Sequence, residues 1–351
     1  MMVYDELFMR IALDLAQQAW GMTAPNPMVG AVVVRDGDIV GRGYHHRAGE
    51  PHAEPNALDD AGEAARGSTL YVTLEPCSTQ GRTPPCTERI LRSGIARVVY
   101  ASQDANPAHR GAAEGILRAA GIEVAHGILA RECDRLNEDF FWYITRKRPF
   151  VTLKMAATLD GRIATASGAS QWITGAKARS DVQKLRRRAG AILVGGTTVE
   201  LDNPSLTVRE PADWPRQPQR LVWTSRPLPP TCKLCTDGGN APRTAKPVST
   251  EEWLAFLARL GTEGVMNLLL EGGGELAAAA LQARIVNKIV FYYAPKILCG
   301  RGSRPLVGGM DPSSLSEALE VEDVETELFA EWEHSATIKV TGYCKDVYRA
   351  D

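Results

Sequence analysis

Segments with strand-like and helix-like patterning alternate along this chain in two successive runs, and that order constrains the fold more than any other feature. In the first run Leu7, Ile11, Leu15 and Ala19 recur every four residues, as on one face of an amphipathic helix. Residues 29–34 and 39–44 flank Asp36-Gly37, a hairpin signal. The pattern then predicts a helix over 53–65, a strand over 69–74, a helix over 87–93, a strand over 96–101, a helix over 111–120 ended by Gly121, and a strand over 122–126. The basic, proline-bearing segment Thr145-Arg-Lys-Arg-Pro149 marks a boundary, which divides the chain into domains 1–146 and 147–351. Alternation restarts with a strand over 150–155, a helix over 176–188, strands over 191–194 and 220–224, a helix over 250–260, a strand over 265–270, a helix over 275–282 and a strand over 287–293. Residues 209–250 hold eight of the 21 prolines and read mostly as loop. At ~150 residues per domain, a chain of 351 residues fits two layered α/β domains.

Composition narrows the function. Forty Lys and Arg against 42 Asp and Glu leave a net charge of -2, so a nucleic acid is not expected as the main partner. Seven cysteines spread over the whole length do not read as a disulfide framework; metal binding or core packing fits them better. The first 20 residues carry Asp5, Glu6 and Asp14 and lack a basic start followed by an apolar run, so they do not read as a signal peptide. No apolar stretch is long enough to span a bilayer. The expectation is a cytoplasmic enzyme acting on small molecules, without a membrane partner, and a homo-oligomer on base rates.

The first domain carries the sharper chemistry. His52-Ala-Glu54 is followed by Glu75-Pro-Cys77 and, after eight residues, by Cys86. One imidazole and two thiolates suit tetrahedral Zn²⁺ and leave a fourth position for water. Cys77 follows a predicted strand and Cys86 precedes a predicted helix, whose start favours a thiolate. Glu54, two residues from His52, is placed to accept and relay the proton of an activated water. The order H-x-E, then P-C and a second cysteine, marks zinc-dependent base deaminases. Singly, a histidine or a cysteine is more often a packed structural residue; here the joint order carries the reading. His45 is a candidate substrate contact, while His46, His109, His126 and His334 have no matching partners. Cys232-x-x-Cys235 looks like half a zinc ribbon with no second pair, and reads as incidental loop cysteines.

The second domain has two strand–glycine–helix junctions, Ile192-Leu-Val-Gly-Gly-Thr-Thr-Val199 and Leu268-Leu-Leu-Glu-Gly-Gly-Gly-Glu-Leu-Ala277. Such junctions serve either as a phosphate cradle or as a tight packing turn. Neither has the spacing of a Rossmann or Walker loop.

Residues 25–32 (Pro-Asn-Pro-Met-Val-Gly-Ala-Val), 43–54 and 75–86 resemble the bifunctional riboflavin-biosynthesis deaminase–reductase family. Residues 153–161, 170–174, 198–207 and 271–274 resemble its reductase half, so the likeness covers essentially the whole chain. The resemblance implies an N-terminal cytidine-deaminase-like three-layer α/β/α domain and a C-terminal dihydrofolate-reductase-like α/β domain. It implies that His52, Cys77 and Cys86 hold one zinc ion, that Glu54 shuttles protons, and that Asn26 and His45 line the pyrimidine pocket. In the reductase it implies that NADPH meets Lys154, Ala156, Trp172, Thr198, Asp202, Ser225, Gly273, Gly274, Glu275, Leu276, Ala277, Ala278 and Ala279. Ser170, Arg186, Leu206, Arg209 and Glu271 would hold the phosphoribosyl pyrimidine, with the two arginines gripping phosphate bidentately and Glu271 accepting from sugar hydroxyls.

The chain departs from the family's pattern at a few positions. Thr79 stands where the family usually has His, Pro55 replaces a β-branched residue, and Thr224 stands where Asp is common. The run Asp104-Ala-Asn-Pro-Ala-His-Arg-Gly-Ala-Ala113 differs from the family's Asp-Pro-Asn-Pro-x-Val form. The implied chemistry is zinc-dependent deamination followed by NADPH-dependent reduction of a ribosyl to a ribityl group. Two alternatives are a nucleic-acid base deaminase, against which the near-neutral charge speaks, and a non-catalytic nucleotide-binding pseudoenzyme.

Overall fold

A computed structural model describes residues 2–81, 84–106, 109–332 and 335–344. Arg82, Thr83, Pro107, Ala108 and His334 of the segments above lie outside the described residues. The chain separates into two compact units, Met1–Lys147 and Arg148–Asp351. No helix among the described residues is long and apolar enough to cross a membrane.

In the first unit the elements run α1 (Met2–Gln17), β1 (Gly30–Arg35), β2 (Asp38–Tyr44), α2 (Ala53–Ala61), β3 (Thr69–Leu74), α3 (Cys86–Ser93), β4 (Arg97–Ser102), α4 (Ala112–Ala119), β5 (Glu123–His126), α5 (Ala130–Leu136) and α6 (Glu138–Arg146). The β1–β2 hairpin turns through Asp36 and Gly37, both with positive φ (52° and 93°), the backbone a two-residue hairpin needs. The sheet order is β2-β1-β3-β4-β5, antiparallel through β3 and parallel from β3 to β5. Alternation along β1 divides the core in two. Ala31 and Val33 pack with Ala57 and Leu58 of α2, Ile90 of α3 and Leu117 of α4; Val32 and Val34 pack with Phe8, Met9 and Ala12 of α1 and Leu136 of α5. Helices therefore cover both faces, which makes three layers.

Glycines let α2 come unusually close to the sheet. A Cβ at Gly43 would lie 2.3 Å from the Ala57 nitrogen, and one at Gly41 would lie 2.3 Å from the Ala57 oxygen. Pro55, the third residue of α2, sits in the first turn, where its missing N–H has no intrahelical partner to lose.

The second unit runs β6 (Phe150–Thr158), β7 (Arg162–Ala164), α7 (Ala176–Arg188), β8 (Ala191–Gly195), α8 (Gly196–Asp202), β9 (Gln219–Trp223), α9 (Lys233–Thr236), β10 (Arg243–Ala245), α10 (Thr250–Thr262), β11 (Asn267–Glu271), α11 (Gly274–Gln282), β12 (Lys288–Ala294), β13 (Arg304–Pro305), β14 (Val321–Trp332) and β15 (Ser335–Cys344). Eight strands form one sheet in the order β10-β9-β8-β11-β6-β12-β15-β14. The ladder is parallel from β10 to β12 and antiparallel through the terminal hairpin. One face packs on α10 and α11 through Trp253, Leu257, Leu260, Leu276 and Ala280. On the other face Ala178 and Val182 of α7 meet Val290 and Tyr292 of β12. Asp181 anchors α7 there, accepting from Tyr292 Oη and Lys339 Nζ at 2.7 Å each.

Candidate active sites

The first site assembles from two helix starts and the loop after β3. His52 is the N-cap of α2, Cys77 lies three residues past β3, and Cys86 is the first residue of α3. The Cys86 N–H donates to Cys77 Sγ at 3.3 Å, which ties the loop to the helix. His52 Nδ1 stands 3.3 Å from Cys86 Sγ and 3.6 Å from Cys77 Sγ. Bond lengths near 2.0 Å to nitrogen and 2.3 Å to sulfur put the N···S edge of a tetrahedral zinc site at about 3.5 Å. The two distances straddle that value, so the donor set fits zinc by size as well as by chemistry. Among the described residues this is the one cluster of three or more His, Cys, Asp or Glu whose ligand atoms converge, all within 4.8 Å.

The electrostatics divide the roles. Hydrogen bonds from the Cys86 thiol and from His52 pull Cys77 down to about 4, making it the thiolate of the pair, while the proton shared with Cys77 holds Cys86 above the usual range. The same contact with Cys77 raises His52. Glu54, 3% exposed, is pushed up to about 7 by burial and then by the Cys77 charge. A buried carboxyl poised near neutrality, two residues from a metal ligand, can take a proton and return it.

His45 and Asn26 come together next to this cluster. The His45 and His52 rings meet edge-on at 5.2 Å, and Asn26 Nδ2 lies 3.0 Å from His45 Nε2. His45 Nδ1 faces the Pro51 carbonyl at 3.0 Å, so Nδ1 donates and Nε2 accepts. Burial lowers the His45 pKa, which favours that neutral form. Asn26 thereby has one N–H of its amide committed to His45, which fixes the plane of the amide and leaves its carbonyl oxygen directed away from that ring.

Two supports escaped sequence reasoning. The Asn137 side chain pairs with Met28 like a strand partner, accepting from its N–H at 2.7 Å and donating to its carbonyl at 2.9 Å, which holds the segment behind Asn26. Glu75 accepts from the N–H groups of Asp104 (3.2 Å), Gly111 (3.0 Å) and Ala113 (3.2 Å), which gathers the loop after β4 beside the cysteines. Both act on backbone far away in sequence, and no spacing rule exposes them. On that gathered loop His109, which the sequence leaves without a partner, meets Thr79: Oγ1 is 3.2 Å from Nδ1. An imidazole thus stands beside the position where the pattern lacked one.

The second site is a cavity of about 970 Å³ in the second unit. It opens at the carboxyl ends of the parallel strands β6, β8, β9 and β11, the place where open α/β sheets bind ligands. Lys154, Ala156, Ser170, Trp172, Arg186, Thr198, Asp202, Leu206, Ser225, Glu271, Gly273, Gly274, Glu275 and Leu276 all line it. Ala277, Ala278 and Ala279 continue along α11 and do not line it; Ala277 and Ala278 are buried. Arg209 is exposed and also does not line it. Gly273 has φ +90°, and a Cβ on Gly274 would come 2.8 Å from the Pro305 carbonyl oxygen, so this junction depends on glycine.

Arg186 and Glu271 differ from the sequence expectation of separate phosphate and hydroxyl contacts. Their side chains form a bidentate pair, Nε to Oε1 at 2.7 Å and Nη2 to Oε2 at 2.8 Å, and Nη1 donates to the Thr207 carbonyl at 3.0 Å. The flat fork expected to grip a phosphate is turned onto the carboxylate, because two opposite charges this buried stabilise each other better than either is served alone. Burial by itself would raise Glu271, yet the Arg186 charge holds it below the usual carboxylate range. Lys154, half-buried in the same cavity, is lowered by desolvation. Ser170 donates to Asp202 at 2.6 Å across the cavity mouth.

The fold and these two sites define a zinc-type pyrimidine deaminase unit followed by a reductase unit. Residues 2–102 match the cytidine and deoxycytidylate deaminase zinc-binding region, and residues 149–331 match the RibD C-terminal domain. The riboflavin biosynthesis protein RibD of Aquifex aeolicus is 44% identical over 347 residues, 93% of this chain and 96% of that protein. Its Escherichia coli counterpart is 42% identical over 324 residues, 84% of this chain and 88% of that protein. Among solved structures, Acinetobacter baumannii RibD superposes with a TM-score of 0.86 at 35% identity, covering 97% of this chain and 99% of that one. The Thermotoga maritima diaminohydroxyphosphoribosylaminopyrimidine deaminase/5-amino-6-(5-phosphoribosylamino)uracil reductase gives 0.82 at 35%, covering 98% and 99%. The chain belongs to the RibD family of riboflavin biosynthesis proteins, enzymes that join a deaminase to a reductase.

Proposed function

We propose that residues 1–146 hydrolyse the 2-amino group of 2,5-diamino-6-(5-phosphoribosylamino)pyrimidin-4-one and that residues 147–351 then reduce the ribosyl group of the product to ribityl with NADPH. The observation that carries this reading is the convergence of His52, Cys77 and Cys86 at zinc-binding distances with buried Glu54 alongside. Zinc held by those three side chains would supply a Lewis acid that makes a water acidic enough to lose its proton near neutral pH. Glu54 takes that proton and gives it to a ring nitrogen; it then takes a second proton, from the hydroxyl added to the pyrimidine carbon, and gives it to the amino group, which leaves as ammonia as the carbonyl forms. Asn26, its amide fixed by one N–H donated to His45, presents its carbonyl oxygen to a substrate N–H.

In the second unit NADPH would supply the hydride. The glycine junction at 272–274 and Thr198 offer close backbone approach for its phosphates. Lys154, which lines the cavity and whose charge acts on Glu271, is suited to orienting a sugar oxygen. The substrates are small phosphorylated pyrimidines, and nucleic acid has no part in this reading.

Purified protein is incubated with the diaminopyrimidinone phosphate, with and without NADPH, and with a zinc chelator. Chelator-sensitive ammonia release followed by NADPH oxidation is the expected result. Glu54→Gln is expected to keep zinc, measured by metal analysis, and to lose ammonia release by at least ~100-fold. Undiminished release from that variant refutes the proton role.

A further inference from the structure

Neither reaction uses Cys232 and Cys235, which the sequence alone presents as incidental loop cysteines. The structure brings their Sγ atoms to 3.5 Å. Cys232 caps the short helix α9 and Cys235 lies within it, so both sulfurs emerge from one turn. Their environments are opposite. Cys232 is 5% exposed and packs with Val199, Leu206, Val222 and Leu234, whereas Cys235 is exposed. An accessible sulfur with a buried sulfur directly behind it is the arrangement thiol–disulfide exchange requires: one to be attacked or to attack from solvent, the other to resolve. Closing the gap to the ~2.05 Å of a disulfide asks for about 1.5 Å of combined sulfur movement, within reach of side-chain rotation.

We propose that Cys232 and Cys235 form a redox modification site, a dithiol converted to an intramolecular disulfide by exchange with a low-molecular-weight disulfide. The Cys235 thiolate attacks one sulfur of the external disulfide, forms a mixed disulfide and expels one thiolate. Cys232 gives its thiol proton to solvent, attacks Cys235 Sγ and expels the second. Two protein thiols lose two electrons between them, and the external disulfide is reduced to two thiols.

The site is wired to the cavity of the second unit. The Lys233 N–H donates to Asn203 Oδ1 at 2.7 Å. Arg220 donates to the carbonyls of Leu234 (3.0 Å) and Ser205 (3.3 Å) and to Asp237 (2.7 Å). Asp202, Pro204 and Leu206, interleaved with those residues, line the cavity. Distortion of α9 on closing the bond therefore reaches the cavity wall. This coupling rests on the reading of that cavity as the reductase site; the formation of the bond does not.

The test uses zinc-loaded full-length protein equilibrated across ratios of glutathione to glutathione disulfide, then acid-quenched, alkylated and digested with trypsin. Cleavage after Lys233 separates the two cysteines, so the bond is read as two joined peptides. The joined pair is expected to form in the wild type, to vanish with dithiothreitol and to be absent from Cys235→Ser. Oxidation is expected to shift the reductase KM at least twofold in the wild type and not in Cys235→Ser, with ammonia release unchanged in both. A stable glutathione adduct on Cys235 without the joined pair, or Cys232 joined to another cysteine, overturns the proposal. A joined pair with unchanged reductase kinetics overturns the coupling alone. Absence of reductase activity in the reduced protein counts against the functional reading, while the joined peptides still decide this site.

Discussion

Gly43 offers the most direct test of how the deaminase site is positioned. It faces α2, the helix that starts at His52 and carries Glu54. In Gly43→Ala the new methyl would stand 2.3 Å from the Ala57 nitrogen and 2.6 Å from the Ala53 oxygen, where ordinary contact begins at 3.4 Å. Both contacts are helix backbone, so no side chain can swing aside. The helix must retreat by about 1 Å, and a displacement of that size at a catalytic group lowers the rate by about 10²-fold. Overpacking adds a stability loss of about 1–3 kcal/mol. Ammonia release is the assay, and NADPH oxidation on pre-deaminated substrate serves as the control from the other unit. The expected outcome is a deaminase reduced about 100-fold beside a reductase at wild-type rate. Wild-type ammonia release from a folded Gly43→Ala protein would refute the claim that the glycine sets the helix position.

Three other outcomes follow from the buried charges and the loop contacts. Glu271→Gln strands the Arg186 cation in a site where both side chains are about nine-tenths buried, so urea unfolding of the second unit should show a loss of roughly 3–5 kcal/mol, largely restored in Arg186→Met/Glu271→Leu. Unaltered stability in the single variant would show that water reaches the pair. Asp5 is held below its ordinary 3.8, chiefly by the Arg97 hydrogen bond, so its folded pKa lies under its unfolded one. The stability it contributes is present above pH ~4 and is lost as pH falls through the folded value. Melting temperature against pH should therefore drop less steeply below pH 4 in Asp5→Asn than in the wild type, and parallel curves would dismiss the linkage. His109→Ala removes the imidazole that meets Thr79; the deaminase KM should rise about fivefold, the worth of one hydrogen bond of about 1 kcal/mol, with zinc content unchanged. A KM equal to wild type would leave that contact a purely structural one.

Legibility depended on how local the signal was. The helix at 176–188 and the strand at 69–74 coincide with their expected limits, because periodicity and flanking residues lie within each segment. The helix expected over 53–65 stops at Ala61 and continues as a 3₁₀ turn through Ala65, since Gly62 leaves the α conformation. The β14–β15 hairpin was missed for a physical reason. Its register shifts between Glu322 and Glu325, with Asp323 at φ 49°, so the alternation that identifies a strand is interrupted. Helices α5 and α6 are also absent from the expectation: only Asn137 separates them, and the unbroken run Phe140-Phe141-Trp142-Tyr143 in α6 hides the three-to-four-residue repeat of a helix. At the sites, His52, Glu54, Cys77 and Cys86 could be read because their chemistry is ordered along the chain. The Arg186–Glu271 pairing could not, because its partners are 85 residues apart and each has a reasonable separate use.

The clasp between Asn137 and Met28 bears on where this chain could be severed. The stretch recognisable as a deaminase zinc-binding region ends at residue 102, yet the loop presenting Asn26 hangs on an amide 109 residues downstream of Met28. A fragment trimmed to the recognisable stretch would keep every zinc ligand and still let that loop drift. Transplanting the deaminase into another protein therefore means carrying α5 and the start of α6 with it.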